Sequence, residues 1–269
     1  MKFSLLSTLT VFSAALLFAA TPGAHAGQTC ENAPLTARSI TQSMALAQRT
    51  SAALDAEFQS SGARVVVLAR AGQDLSQYGL RYSHLGWAYK TPEGPWRVLH
   101  KLNDCGSGSG ALYRQGLGEF FMDKPWQYRA AWAVPAPALQ APLWALLTDR
   151  ERSVRLNTRA YSLVSYPWST RYQQSNQWAL ETLAMASEPG IANREQAQAW
   201  LRFKGYRPTV LHINALTRLG ARVGKANIAF DDHPNAQRFA DRIETVTVDS
   251  MFDWLARTGL ASPAQALSL

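Results

Sequence analysis

His84, His100 and Ser175 are the residues of this chain whose types could do acyl-transfer chemistry. That chemistry needs a nucleophile, a base within hydrogen-bond reach of it, and a third group that fixes the base's tautomer. His84 lies in Tyr82-Ser83-His84-Leu85-Gly86-Trp87-Ala88-Tyr89, and His100 closes Trp96-Arg97-Val98-Leu99-His100. Ser175 lies in Tyr172-Gln173-Gln174-Ser175-Asn176-Gln177-Trp178. A neutral second imidazole can orient the first, because its free nitrogen accepts a hydrogen bond. A serine at a helix start would have backbone N–H groups and the positive end of the helix dipole beside it.

The elements around these residues follow from periodicity. The run about His84 alternates like a half-buried strand, as does the stretch ending at His100. Thr91-Pro92-Glu93-Gly94-Pro95 between them predicts a turn, hence an antiparallel hairpin. Helical periodicity marks Ser39 to Phe58, Leu139 to Asp149, Ser175 to Ser187, Asn193 to Phe203 and Val210 to Leu219. A closing helix is expected at Ser250 to Arg257. Strands are expected at Ala63 to Ala69, Trp126 to Val134 and Ile243 to Val248. Gly110 to Phe121 reads as irregular or partly helical, and Ala160 to Tyr166 as ambiguous. Strands and helices in blocks predict an α+β fold with an antiparallel sheet packed against helices.

Tyr82-Ser83-His84-Leu85-Gly86 resembles the catalytic-histidine strand of the permuted papain-like hydrolases and acyltransferases. That group includes the lecithin retinol acyltransferase family and secreted relatives of the NlpC-type peptidases. In it, a histidine and a polar partner on neighbouring strands precede a helix opening with Asn-Cys-Glu-His/Gln-Phe/Trp. Gln174-Ser175-Asn176-Gln177-Trp178 is similar to that opening. The resemblance implies a permuted papain-like fold with His84 as base, His100 as its orienter and Ser175 at the cysteine position. The chain also resembles an uncharacterised family of exported bacterial proteins. The serine is a departure. A cysteine beside histidine at a helix start can rest as a thiolate, whereas a serine hydroxyl must lose its proton during attack.

Each of these residues also has a structural reading. Ser175 could be a plain helix N-cap, His84 a satisfied core histidine, and His100 a surface-facing strand residue. Trp178 reads as packing on the helix face.

Met1-Lys2, the apolar run Leu5 to Ala20, Pro22-Gly23 and Ala24-His25-Ala26 predict a secretory signal peptide over 1–26. Residues 27–269 are then expected to form one α+β papain-like domain with N-terminal and C-terminal helical additions. Export predicts a periplasmic or secreted protein with no stable membrane anchor. Cys30 and Cys105 are the only cysteines, and in an oxidising compartment they predict one disulfide. The alternative makes Cys105 a nucleophile beside His100.

The formal charge is +8, but its basic residues are spread out and do not alternate with aromatics, which argues against nucleic acid. It suits either anionic envelope polymers or simply a solvated basic surface. Asp231-Asp232-His233-Pro234 has metal-ligand residue types without a second cluster at ligand spacing, and reads as a polar turn. Gly106-Ser107-Gly108-Ser109-Gly110 lacks the Lys-Ser/Thr of a phosphate loop, and His212 has no carboxylate at helical spacing. No cofactor or metal is expected. The expected function is an exported cell-envelope hydrolase or acyltransferase acting on an amide or ester. Its partner would be an envelope component or a small acyl or peptidyl substrate. The alternative is a non-catalytic envelope binding protein that retains the cleft.

Overall fold

The computed structural model describes residues 34–123 and 125–269. The expected signal peptide and Cys30 lie outside the described residues. The chain is α+β, built on a six-stranded antiparallel sheet with strand order β4-β3-β2-β1-β5-β8. The strands are β1 (Val65–Arg70), β2 (His84–Lys90), β3 (Trp96–Asn103), β4 (Gly110–Gly116), β5 (Arg129–Ala133) and β8 (Gln265–Ser268). A separate ribbon pairs β6 (Thr209–His212) with β7 (Arg242–Thr245).

Helices cover both faces of the sheet. On one face lie α1 (Ala37–Ser61) and α2 (Leu117–Phe121), which bury Leu46, Leu54 and Phe120 against Val66, Leu68, Ala88 and Val98. On the other lie α3 (Pro137–Thr148) and α5 (Ser175–Ser187), against Val65, Val67, Leu85, Trp87 and Leu99. Even and odd positions of the central strands thus enter different cores, as the two-residue period of a strand requires. Both faces of β1 are buried, which explains its unbroken apolar run Val65-Val66-Val67-Leu68-Ala69. Every residue of α5 from Ser175 to Ala186 is buried, because α6 (Arg194–Phe203) packs over the side turned away from the sheet. The short α4 (Arg150–Val154) follows α3, capped by Asp149. The remaining helices, α7 (Ala215–Gly224), α8 (Asn235–Phe239) and α9 (Val248–Arg257), lie towards the end of the chain.

Some sequence expectations are corrected. Gly110 to Phe121 is a full edge strand followed by a single helical turn. β4 lacks β-branched residues, so its pairing with β3 over seven positions decides its state rather than local propensity. Val210 to Leu219 is not one helix. Thr209–His212 is a strand, and α7 starts at Ala215 because the Asn214 side chain accepts the N–H of Thr217. His212 is therefore a strand residue. β8 had no sequence signal, since its residues are mostly exposed and its partner is the outer edge of β5.

Candidate functional site

His84 opens β2, opposite Arg70 of β1. In an antiparallel pair, residues opposite each other share a face. Gly86, two residues on, faces His100 so closely that a Cβ there would lie 2.7 Å from the His100 Cβ. The glycine leaves the room that lets the two imidazoles meet. His84 Nε2 and His100 Nδ1 are 2.8 Å apart, and His100 Nε2 is 2.8 Å from Gln115 Oε1.

This chain fixes the tautomers. The Gln115 carbonyl oxygen only accepts, so His100 donates through Nε2 and its Nδ1 is a bare acceptor. His84 must then donate through Nε2, which leaves Nδ1 of His84 unprotonated. No hydrogen bond from the described residues reaches that atom. Geometrically it is a base held in one orientation.

The pair packs against the α2 side. Phe120 lies 5.9 Å from the His84 ring and 5.2 Å from the His100 ring, centre to centre. The guanidinium of Arg70 sits 4.7 Å above the same Phe120 ring, bonded to the Phe120 carbonyl and to Asp123. His100 has no exposed surface. Burial, reinforced by the Arg70 charge, pushes its pKa down to about 3. His84 is likewise held well below the usual histidine range, first by burial and then by Arg70 and His100. Both rings are therefore neutral at physiological pH.

Ser175 belongs to the opposite layer. α5 packs on the Leu85 and Trp87 face, where Trp87 Nε1 donates to the Ala179 carbonyl at 3.1 Å. Ser175 is not the N-cap of α5. Gln174 is, its side-chain oxygen accepting the Asn176 N–H at 2.7 Å. The Ser175 hydroxyl lies 3.4 Å from the phenol oxygen of Tyr161. Asn176 ties the two layers together: its side-chain oxygen accepts the Leu85 N–H at 3.1 Å. The structure joins His84 to His100. It joins Ser175 to Tyr161, and no hydrogen bond among the described residues links Ser175 to either histidine.

Several residues of this region escaped the sequence reading. Gln115 was hidden because β4 was not read as a strand. Arg70 lies just past the strand expected to end at Ala69, and Phe120 falls in the stretch read as irregular or partly helical. Lys101, immediately after His100, points to the α5 side, fully buried, with Nζ 2.7 Å from Asn157 Oδ1. Burial and then the Arg194 charge lower its pKa to about 7. A lysine at an inward position of an apolar strand was the available signal. Nearby, the buried ion pair Glu181–Arg194, at 2.8 Å, holds the segment before α5 through Arg194 bonds to the Thr170 and Tyr172 carbonyls.

The other candidates are structural in their contacts. His233 is held through both ring nitrogens, to Asp232 and to the Glu244 carbonyl. Among the described residues no group of three or more His, Cys, Asp or Glu could hold a metal ion. No described helix is long and apolar enough to cross a membrane. The expected Cys30–Cys105 bridge is not described, because Cys30 lies outside the described residues.

Fold and site together define an α+β protein with an antiparallel sheet and a histidine pair in which His100 is buried and His84 partly exposed. Residues 57–255 match a family described as "Uncharacterized protein conserved in bacteria (DUF2145)", and the chain belongs to that family. No curated protein and no solved structure matches it.

Proposed function

We propose that this protein is an exported cell-envelope component that retains a permuted papain-like scaffold as a binding module and does not carry out acyl transfer through Ser175. The observation that carries the reading is the contact of the Ser175 hydroxyl with Tyr161 while the histidine pair packs against Phe120 on the other side of the sheet. A nucleophile must lie within hydrogen-bond reach of its base. The depressed basicity of His84 adds to the argument, because a base far below the working pH has little driving force to accept a proton.

One observation favours the second reading, a hydrolase or acyltransferase with His84, His100 and Ser175 in the catalytic roles. The Gln115–His100–His84 chain leaves Nδ1 of His84 free in the manner of an oriented general base.

The two separate in the Ser175→Cys variant with Cys30 and Cys105 held oxidised. Alkylation by iodoacetamide against pH should give a thiol titrating at or above about 8.5, with no change on adding His84→Ala. A depressed thiol pKa that returns to the ordinary value when His84 is removed would overturn the binding reading and establish the catalytic one.

A further inference from the structure

A cavity of about 470 Å³ opens between the segment preceding β2, the residues entering β6, and α9, lined among others by Arg81, Arg207, Asp249, Asp253 and Arg257. Its charges are not all alike in their commitments. Arg81 is spent on Asp249: its Nε and its backbone N–H each meet one carboxylate oxygen, at 3.1 Å and 3.2 Å. The Ser250 hydroxyl is taken up by Tyr206 at 2.8 Å and by the α9 capping box. Arg257 reaches the Gly205 carbonyl at 3.4 Å. Arg207 and Asp253 have neither an ion pair nor a hydrogen bond from their side chains to any described residue. The cavity wall therefore presents the guanidiniums of Arg207 and Arg257 without a carboxylate partner, and the Asp253 carboxylate, whose charge also acts on Arg81, without a salt bridge.

We propose that this cavity binds a short peptide with free termini, its α-carboxylate on Arg207 and its ammonium on Asp253. A guanidinium pairs with a carboxylate through two parallel hydrogen bonds, and a carboxylate accepts from an ammonium, so each end has its complement. The cavity falls within the size range of small-ligand sites and holds more than a single amino acid. A polyanion is not fully complemented there, because Asp253 stands in the same wall and repels a second negative charge. The proposal is independent of how the His84 region is read.

The test uses the purified protein and titration calorimetry at low ionic strength, with trialanine, N-acetyl-trialanine and trialanine amide. Trialanine should bind saturably, and each blocked peptide at least ten-fold more weakly. Arg207→Gln should abolish the preference for the free carboxylate and keep that for the free ammonium. Asp253→Asn should do the reverse. Both side chains are exposed, so unchanged thermal melts will show that the variants are folded. Absence of saturable trialanine binding would overturn the proposal. So would equal binding of the blocked peptides, or displacement by acetate with no effect of Asp253→Asn, which would mark a simple anion site.

Discussion

Asn176 accepts the backbone N–H of Leu85 at 3.1 Å, so the first turn of α5 is fastened to the residue that follows His84. Yet Leu85 faces α5, and His84 faces Phe120. Closeness along the backbone and separation of side chains coexist here because neighbouring residues of a strand project to opposite faces. That parity decides what the site can do, and the predictions below follow from it and from the networks beside it.

Acid should destabilise the protein through the histidine pair. Both imidazoles bind a proton less readily in the folded chain, His100 down to about 3 and His84 well below its usual range. Above about pH 6.5 both are neutral, folded or unfolded, and contribute no pH dependence. Below it the unfolded chain takes up protons that the folded chain does not, so stability falls as pH drops towards the folded values. The slope should be at most about 1.4 kcal/mol per pH unit for each histidine. Urea melts at pH 7, 6, 5 and 4.5 measure it. His100→Gln should flatten the dependence, and an unchanged slope in that variant would refute the assignment.

Gly86→Ala should cost about 1–3 kcal/mol, the usual range for overpacking a core. The added Cβ meets the His100 Cβ at 2.7 Å and Val98 Cγ1 at 2.9 Å. Strand backbone and a buried ring must shift, and the imidazole contact should be disturbed. Gly190→Ala is the control: its Cβ would meet nothing within 4 Å, and it should stay within about 0.5 kcal/mol of wild type. Equal stabilities for the two variants in chemical denaturation would contradict this packing.

Removing Glu181 should be among the most damaging single changes, at about 3–5 kcal/mol. Its carboxylate accepts from Arg194, Gln173 and Gln198 in a site with essentially no exposure. Glu181→Ala leaves the Arg194 guanidinium buried without its counter-charge. The carbonyls of Thr170 and Tyr172 depend on that guanidinium, so limited proteolysis should open the chain before α5 first. A melt near that of wild type would show that the ion pair is replaceable.

Export and oxidation make a joint expectation. N-terminal sequencing of the mature protein should begin at Gly27, and non-reducing peptide mapping should find Cys30 joined to Cys105. Closing that loop should stabilise the fold by about 3–5 kcal/mol through lost disorder of the unfolded chain. A mature chain that starts at Met1, or two alkylatable thiols in the native exported protein, would contradict it.

The strands of His84 and His100, the turn between them and the helix opening at Ser175 were all legible in the sequence, because each is set by local periodicity and turn chemistry. The alternation even shows that His84 shares a face with Gly86 and Ala88, and not with Trp87. What it cannot show is which helix covers that face. α2 and α5 are both apolar enough to do so, and only the packing of the whole chain assigned α2 to the histidines and α5 to Trp87. The partners Gln115 and Tyr161 were invisible for a related reason. Gln115 acquires its position from a strand that long-range pairing creates, and Tyr161 from an irregular segment pinned by the isolated bridge Ser109–Ala160. Residue types named the possible chemistry. Side-chain direction, which only tertiary contacts determine, divided those residues between two layers.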